Sequence, residues 1–425
     1  MINTCHDETT GRGLVPAPPA GLRARMLANG AAVLFERALA RLPVRVEFPD
    51  GTLGGAGSAT DPLPRMIIRN RAAFFSRLGS TGLIGFGESY TAGEWTSPDP
   101  AGVLTVFAAE LPRLIPPSLQ RFRSILLPAP PRAEDGTVDN ARSNIERHYD
   151  LSNELFRIFL DETMSYSAAL FDPAELDSGP VRWERLAAAQ HRKIDAILDA
   201  AGVGPGTRLL EIGTGWGELC VRAAARGATV HSVTLSTEQL EFARRRVTDA
   251  GYASAVTIEL CDYRAIGGTY DAIVSVEMIE AVGHRYWQTY FDCLNRLVEP
   301  GGRIALQVIT MPHERMLASR RTYTWIQKYI FPGGFLPSTD AIESTVAGCP
   351  SLRVLSRTAF GAHYAETLRL WRERFDEHAG AIEALGFDAT FRRLWQFYLV
   401  YSEAGFRSGY LDVQHYVLER NQESP

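Results

Sequence analysis

Short apolar runs alternate with stretches of helical periodicity through the second half of the chain, from residue 185 onward. The apolar runs predict strands at 208–212, 229–234, 256–261, 272–276 and 303–308. The stretches between them predict helices at 218–226 and 238–250. Because strands that alternate with helices form parallel sheets covered by helices, this half of the chain predicts an α/β fold.

The first part of the chain has a different pattern. Residues 42–48 alternate between polar and apolar side chains, as an isolated strand does. A proline-rich break at 127–131 and a polar stretch at 133–140 separate this part from the rest. Since 425 residues exceed one ordinary domain, we predict a smaller N-terminal α+β domain with a linker over residues 1–140 and a second domain over residues 141–425.

The composition is that of a globular protein, with 45% hydrophobic and 22% charged residues. A net charge of −5 and the lack of a basic stripe argue against nucleic acid as a partner. The five cysteines are odd in number and none is paired in a CxxC motif, so no metal site or disulfide framework is predicted. With no signal peptide and no apolar run of about 20 residues, we expect a cytoplasmic protein that meets a membrane only at its surface.

A glycine-rich turn, Gly213-Thr214-Gly215-Trp216-Gly217, directly follows the first predicted strand of the α/β half. Glycines let the backbone turn sharply and approach a ligand closely. The spacing differs from the GxGxxG turn that receives a pyrophosphate in dinucleotide-binding folds. Glu211, at the end of the strand, suits the ammonium group of a methionine moiety better than a phosphate. We therefore predict that Glu211, Gly213, Gly215 and Gly217 bind S-adenosylmethionine; a turn without a ligand is the alternative.

Two further segments complete the predicted cofactor site. Asp262 and Tyr263 follow the strand predicted at 256–261, where adenine contacts are usual in this class of fold. The strand at 229–234 lacks the terminal acid that commonly holds the ribose hydroxyls. Thr234 and Gln239 are the polar residues that we expect to replace it by hydrogen bonding.

Several strings of residues resemble the cyclopropane fatty acid synthase family, which includes the mycolic acid cyclopropane synthases. The strings are Thr234-Leu235-Ser236-Thr237-Glu238-Gln239, His148-Tyr149-Asp150-Leu151-Ser152-Asn153, Met164-Ser165-Tyr166-Ser167, Glu280-Ala281-Val282-Gly283, Lys328-Tyr329-Ile330-Phe331-Pro332-Gly333-Gly334 and Gly405-Phe406-Arg407. The resemblance runs from about residue 80 to the C-terminus. It implies a Rossmann-like methyltransferase sheet with flanking helices over residues 141–425, and it adds Tyr149, Tyr166 and Ser167 to the predicted cofactor site.

The family acts on an isolated cis double bond in a phospholipid acyl chain. An alkene is a weak nucleophile, so it needs a strong electrophile such as a sulfonium methyl group, and its attack leaves a carbocation. Aromatic side chains can stabilise such a cation by roughly 1–2 kcal/mol each. The C-terminal part is rich in them, although most could be ordinary core residues: Tyr323, Trp325, Tyr329, Phe331, Phe335, Tyr364, Trp371, Phe397, Tyr398, Tyr401 and Phe406.

A base must then remove a proton from the transferred methyl group. In the family this base is a bound bicarbonate, held by a Glu, a His, a Tyr and the backbone around a Cys. The resemblance places Glu280 and Tyr364 in that pocket, but Gln307 stands at the histidine position and Ala168 at the cysteine position. Glutamine cannot become a cation, so it would hold an anion less firmly. Either bicarbonate is held mainly by Tyr364 and backbone, or a carboxylate such as Glu280 acts more directly.

The same residue types serve two products. Ring closure with proton loss gives a cyclopropane, whereas a hydride shift before proton loss gives an exocyclic methylene group. The strings at 83–90 and 363–368 are most similar to the actinobacterial branch of the family, which makes 10-methylene and 10-methyl (tuberculostearic-type) chains. We therefore expect a 10-methylene product from oleoyl phospholipid, with cyclopropane formation as the alternative. Ser402, at a family cysteine position, is a weaker candidate for a catalytic residue.

Partners follow from the same resemblance. The N-terminal domain is the expected lipid-handling part, because residues 103–127 combine apolar side chains with Arg113, Arg121 and Arg123, although a packed helical pair with solvated arginines is an equal alternative. A reductase that yields the methyl branch and a homodimer are further expected partners. A soluble methyltransferase for small polar molecules and an inactive lipid-binding module remain as alternatives.

Overall fold

A computed structural model describes residues 14–56, 62–114, 131, 134, 137, 140 and 152–422. These residues fall into two compact units. The first takes its residues from Met1–Glu110 and Ala379–Tyr398, and the second from Leu111–His378 and Leu399–Pro425. Most of the predicted linker lies outside the described residues. The structure also assigns a C-terminal segment to the first unit, which the sequence patterns did not indicate.

The first unit is built on a small sheet with strand order β2-β1-β3-β4. The elements in this part of the chain are α1 (Leu22–Leu39), β1 (Arg45–Glu47), β2 (Leu53–Gly54), β3 (Arg65–Ile68), α2 (Arg71–Thr81), α3 (Leu83–Thr91), β4 (Trp95–Thr96) and α4 (Pro100–Leu114). Strand β1 lies inside the run 42–48 that alternation predicts. Helix α2 begins where the Asn70 side chain accepts a hydrogen bond from the amide of Ala73, an ordinary way to satisfy a free helix N-terminus.

The second unit contains the large sheet and its helices. Its elements begin with α5 (Asn153–Phe159), α6 (Pro173–Asp177), α7 (Leu186–Ala200), β5 (Arg208–Ile212), α8 (Glu218–Ala225), β6 (Thr229–Thr234), α9 (Thr237–Asp249), β7 (Val256–Leu260), β8 (Tyr270–Val276), α10 (Ile279–Val282), α11 (Trp287–Leu297) and β9 (Val298–Thr310). They continue with α12 (His313–Ser319), α13 (Trp325–Tyr329), α14 (Thr339–Ala347), β10 (Leu352–Ala359) and α15 (Gly361–Glu377). Helices α16 (Ala379–Ala384) and α17 (Ala389–Arg407) and strand β11 (Asp412–Arg420) complete the chain, with α16 and the first half of α17 in the first unit.

The large sheet has strand order β10-β11-β9-β8-β5-β6-β7. The five strands from β9 to β7 are parallel, which confirms the predicted α/β fold. The sheet is buried on both faces by two apolar clusters, as parallel sheets are. The antiparallel pair β10 and β11 was not predicted, because seven of the eight residues of β10 are exposed and give no apolar run.

Candidate active site

The glycine turn follows β5 as predicted. Its three glycines share a positive φ angle but differ in the space around them. All have positive φ angles, of 100° at Gly213, 52° at Gly215 and 88° at Gly217. A Cβ atom at Gly213 would lie 2.6 Å from the Cγ of Met278, and one at Gly217 would lie 2.9 Å from the Cβ of Ala243. A Cβ atom at Gly215 would meet nothing within 4 Å. Gly215 therefore borders open space, as a residue beside a bound molecule must.

Glu211 lies at the carboxyl end of β5 and is almost completely buried, with 3% of its surface exposed. Its Oε2 atom accepts hydrogen bonds from the Cys220 thiol at 2.8 Å and the Ser232 hydroxyl at 2.5 Å. Burial raises the pKa of Glu211 to about 7, although both hydrogen bonds and the charge of Lys193 oppose the rise. A buried carboxylate held by neutral donors is suited to a cationic ligand group.

The segment from Thr234 to Gln239 joins β6 to α9. The Ser236 hydroxyl caps α9 by accepting from the amide of Gln239 at 3.2 Å. The Thr234 hydroxyl donates to Oε1 of Gln239 at 3.0 Å. The side-chain nitrogen Nε2 of Gln239 is therefore left as a donor. This arrangement is compatible with the predicted hydrogen bond to a ribose.

Asp262 and Tyr263 lie just beyond β7. The Asp262 side chain accepts from Nε and Nη2 of Arg264, at 2.8 and 2.6 Å. Tyr263 is buried, with 8% of its surface exposed, and burial raises the pKa of its hydroxyl group. Asp262 is therefore already engaged in a bidentate ion pair, which fixes the orientation of its side chain in the turn after β7.

Tyr166 and Ser167 lie on the loop between α5 and α6. The Tyr166 ring packs edge-on against Phe156 at 5.2 Å and tilted against Trp371 at 5.3 Å, measured between ring centroids. The Ser167 hydroxyl accepts from the Lys193 ammonium group at 2.7 Å. Tyr149 lies outside the described residues.

Glu277, which the sequence patterns did not single out, is the centre of the hydrogen-bond network at the end of β8. Its carboxylate accepts from the backbone amide of Ala168 at 2.9 Å, from Nε2 of Gln307 at 2.8 Å and from the Tyr364 hydroxyl at 2.8 Å. These donors come from the loop after α5, from β9 and from α15. Three of the four predicted positions of the bicarbonate pocket, Ala168, Gln307 and Tyr364, thus converge on a side chain of the protein.

Glu280 lies one helical turn away at the start of α10. Its Oε1 atom accepts from the backbone amide of Ile309 at 2.5 Å. Its Oε2 atom is buried without a hydrogen-bond partner among the described residues. Burial, followed by the charge of Glu277, raises the pKa of Glu280 to about 8. Glu280 therefore retains its proton near neutral pH.

Gln307 is oriented by a second contact. Its Oε1 atom faces Nε2 of His415 at 2.8 Å. Burial, followed by the charge of Lys193, lowers the pKa of His415 to about 4, so the imidazole is neutral near neutral pH. A neutral His415 that donates to Oε1 leaves Nε2 of Gln307 as the donor, to Glu277 at 2.8 Å and to the carbonyl oxygen of Ala168 at 3.4 Å.

Aromatic side chains line the same region. The Tyr364 ring lies 4.5 Å from the Phe406 ring and 6.1 Å from Trp371, and Trp371 in turn contacts Tyr166. These four rings, Tyr166, Trp371, Tyr364 and Phe406, form what we call the aromatic wall. Phe397 and Tyr398 of the predicted aromatic set belong instead to the first unit. There Phe397 packs against Phe86 and Tyr90, as ordinary core residues do.

Ser402 lies half-buried on α17. The neighbouring Glu403 is fully buried and pairs with Arg372 and Arg407. Among the described residues, no hydrogen bond joins Ser402 to Glu277, Glu280 or Gln307, so its catalytic role stays a prediction.

Sequence reasoning missed Glu277 and Lys193. Glu277 directly follows a parallel strand, where ligand-contacting residues are common in α/β folds, and this position was the signal that could have identified it. Lys193 lies on the inner face of α7, with 2% of its surface exposed. Burial lowers its pKa to about 8, while the charges of Glu277, Asp161 and Glu211 oppose the fall.

Comparison with known proteins identifies the class of protein first. A mycolic acid cyclopropane synthase, CmaA1, crystallised with SAH and CTAB, superimposes with a TM-score of 0.59 at 30% identity, over 66% of this chain and 98% of that chain. Together with the glycine turn after β5, this similarity defines an S-adenosylmethionine-dependent methyltransferase.

The family follows from the sequence comparisons. The family model for mycolic acid cyclopropane synthetase matches residues 137–416. Tuberculostearic acid methyltransferase of Mycobacterium tuberculosis is 54% identical over 407 residues, which cover 96% of this chain and 94% of the relative. Cyclopropane-fatty-acyl-phospholipid synthase of Escherichia coli K12 is 33% identical over 364 residues, covering 83% and 87%. The chain belongs to the mycolic acid cyclopropane synthetase family, as the resemblance in the sequence predicted.

Within the described part of the chain, no helix combines the length and the apolar character that crossing a membrane requires.

Proposed function

We propose that this methyltransferase transfers a methyl group from S-adenosylmethionine to the cis double bond of an oleoyl chain in a phospholipid and forms a 10-methylene chain. The observation that carries the proposal is the aromatic wall beside two carboxyl groups, the half-buried Glu277 and the buried Glu280. A carbocation on an apolar chain needs aromatic faces, exclusion of water and a nearby base.

The residues after β5 and β6 fit the cofactor. Glu211 offers a buried carboxylate to the ammonium group, and the open space at Gly215 leaves room for the methionine portion. Gln239, with Asp262 and Tyr263 at the next strand end, would hold the ribose and adenine, and Tyr166 and Ser167 would close the site from the loop after α5. When bound, S-adenosylmethionine supplies an electrophilic methyl group.

The relatives support the lipid substrate. The mycobacterial relative is named for tuberculostearic acid and covers nearly the whole chain, whereas the E. coli relative is named for the fatty acyl chains of phospholipids. From the name of the mycobacterial relative we infer that this chain forms a methylene group, which is an intermediate on the route to 10-methyl chains. A partner reductase would complete that route.

Product analysis tests this proposal. Lipids from a host that expresses the protein should contain a C19 chain with an exocyclic methylene group, detected by mass spectrometry and by olefinic NMR signals. Lipids from the same host carrying the Glu211→Gln variant serve as the control. A cyclopropane signal without a methylene signal would replace the proposal by its alternative.

Cyclopropane formation is that alternative. It is favoured by the E. coli relative, which is similar over 83% of the chain. The departures at Ala168 and Gln307 count against it, because the resemblance associates cyclopropane formation with a Cys and a His at these positions. Ring closure also requires a base, so the same carboxyl groups would serve either outcome.

The first unit is proposed to handle the lipid at the inner surface of the membrane. Helix α1 exposes Leu22, Met26 and Leu34, with 77%, 68% and 61% of their surfaces accessible, and Arg23 and Arg25 are exposed on the same helix. Apolar side chains flanked by arginines suit an anionic bilayer surface. Co-sedimentation with phosphatidylglycerol vesicles should weaken in a Leu22→Ser/Met26→Ser/Leu34→Ser variant. Equal binding of the variant and the unmodified protein to the vesicles would remove α1 from the proposal.

The predicted homodimer is tested separately, by sedimentation of the protein without vesicles.

A further inference from the structure

Glu277 has an unusual backbone conformation for its residue type. Its φ angle is +53°, in the left-handed region that side chains other than glycine and asparagine rarely adopt. Its own amide donates to the carbonyl oxygen of Gln307 at 2.8 Å, which fixes the turn against β9. A glutamate is less stable in such a conformation than a glycine, because its Cβ atom crowds the backbone. The surroundings therefore hold this side chain in place against a local preference.

The three donors around the Glu277 carboxylate form a site that would suit a small planar anion. They are a backbone amide, a side-chain amide and a phenol, and all three contacts lie between 2.8 and 2.9 Å. Bicarbonate and a glutamate side chain both present a planar carboxylate group to such donors. Since Glu277 accepts from all three, its carboxylate occupies the place of the anion.

We propose that Glu277 is the general base of the reaction and that it replaces a bound bicarbonate with a carboxylate of the protein. The inference rests on the proposed methyl transfer to a lipid double bond and names the group that completes it. Tyr364 and Gln307 are positioning residues for this base. Their hydrogen bonds to Glu277 fix where its oxygen atoms lie.

The step balances in atoms and electrons. The π electrons of the alkene form the new bond to the methyl carbon, the electrons of the broken carbon–sulfur bond stay on sulfur, and the acyl chain becomes a cation. A hydride shift moves the cation to the methyl-bearing carbon. The Glu277 carboxylate then accepts a proton from the methyl group, and the pair of electrons from that C–H bond forms the methylene double bond. Glu277 becomes a carboxylic acid and releases its proton to solvent before the next turnover.

The two carboxyl groups have different surroundings. Burial raises the pKa of Glu277, although its three hydrogen-bond donors and the charge of Lys193 oppose the rise. Burial, followed by the charge of Glu277, raises the pKa of Glu280 to about 8. Glu280 therefore keeps its proton near neutral pH and adds no negative charge beside Glu277.

Two substitutions at this position distinguish an internal base from a bound anion. Glu277→Gln keeps the size of the side chain but removes the base, and Glu277→Gly empties the site while relieving the left-handed strain. We expect both full-length variants to lose at least about 100-fold in methylene formation on oleoyl-phosphatidylglycerol vesicles. Formate or bicarbonate should restore activity to Glu277→Gly but not to Glu277→Gln. Glu241→Gln, an exposed glutamate on α9, is the matched control and should retain full activity.

The rate of the unmodified protein, unlike that of Glu277→Gly, should not depend on bicarbonate. That rate should be unchanged between buffer freed of carbon dioxide and buffer with added bicarbonate. As a readout independent of turnover, the ¹³C NMR signal of labelled bicarbonate should broaden saturably with Glu277→Gly and not with the unmodified protein. Thermal unfolding checks that both variants are folded. If Glu277→Gly does not fold, the isosteric Glu277→Gln variant still tests whether the carboxylate is required.

The outcomes distinguish a failure of the proposed methyl transfer from a failure of Glu277 as the base. If the unmodified protein forms no methylated lipid under any condition, the proposed function fails, while the ¹³C measurement still tests which group fills the anion site. If it forms product but requires bicarbonate, binds labelled bicarbonate, or keeps its rate as Glu277→Gln, then Glu277 is not the base.

Discussion

The neighbouring parallel strands β5 and β8 end in the same way but with different residues. Each strand is followed at once by a residue with positive φ, Gly213 at 100° after β5 and Glu277 at 53° after β8. At Gly213 the space decides the residue, because Met278 leaves no room for a Cβ atom. At Glu277 three donors stabilise a side chain that the backbone disfavours. The first turn thus admits only glycine, and the second holds a carboxylate toward three donors.

This difference separates the general part of the site from its specific part. In the proposed function, a glycine turn with a preceding acid would serve any methyl acceptor, because it would contact only the cofactor. The Glu277 turn would face the reacting chain and would be needed only in a reaction that ends in proton loss. Substitutions in the two turns should therefore fail in different ways, the first in cofactor binding and the second in turnover.

The largest effect is expected at the first turn. Gly213→Ala introduces a Cβ atom 2.6 Å from Met278 at a φ of 100°, so the turn must shift. We expect S-adenosylmethionine affinity, measured by calorimetry, to fall at least about 100-fold, which corresponds to about 2.7 kcal/mol. Gly251→Ala is the matched control, because Gly251 also has a positive φ of 83° but nothing within 4 Å of its added Cβ. Equal losses in both variants would show that backbone strain alone is responsible.

At the second turn, Tyr364→Phe should lower methylene formation by about 10- to 100-fold and leave cofactor affinity unchanged. The substitution removes one donor to Glu277, so the pKa of that carboxylate rises. The base must be ionised to act, and the acid limb of the pH–rate profile should therefore move to higher pH. A loss of rate with an unmoved acid limb would assign Tyr364 a packing role only.

The pH dependence of stability gives a smaller effect. The pKa of Glu280 is raised to about 8 in the folded protein from an ordinary value of 4.5. Between these values the folded state keeps a proton that the unfolded state has lost, so the free energy of unfolding falls as pH rises. The slope from this group is at most about 1.4 kcal/mol per pH unit. Thermal unfolding between pH 5 and pH 8 should accordingly be less pH-dependent in Glu280→Gln, and parallel curves for the two proteins would contradict the assignment.

The smallest effect is expected at the opposite end of β5. Arg208 pairs with Asp271 and Glu299, but half of its side chain is exposed. Exposed ion pairs contribute little to stability, because water screens the charges. Arg208→Met should therefore lower the melting temperature by only a few degrees and leave both cofactor affinity and turnover unchanged. A large loss of activity would mean that the amino ends of the strands also belong to the site.

The fold and the cofactor turn could be predicted from the sequence because local patterns encode them. Strands β5 and β6 have the predicted bounds, since apolar runs flanked by glycine and polar residues define their ends. The Glu277 network could not be predicted in the same way. Its donors, Ala168, Gln307 and Tyr364, are separated by up to 196 positions, and only the folded chain brings them to one carboxylate.

Which carboxylate receives the three donors could not be predicted, because a single sequence position carries no information on which way a side chain turns. The motif match names Glu280. In the structure Glu277, with its left-handed backbone, presents its carboxylate to the donors, while Glu280 accepts from the amide of Ile309. Lys193 was missed because a lysine within an amphipathic helix ordinarily lies on the solvent side.

Deuterium tracing tests the central claim most directly. The full-length protein is given oleoyl-phosphatidylglycerol vesicles and trideuteromethyl S-adenosylmethionine in buffer freed of carbon dioxide, and the extracted lipid is examined by deuterium NMR. A protein base acting on a methyl-bearing cation predicts product at the full rate, with two deuterons in an olefinic methylene group. Deuterium at cyclopropyl positions, or product that forms only after bicarbonate is added, would contradict the account.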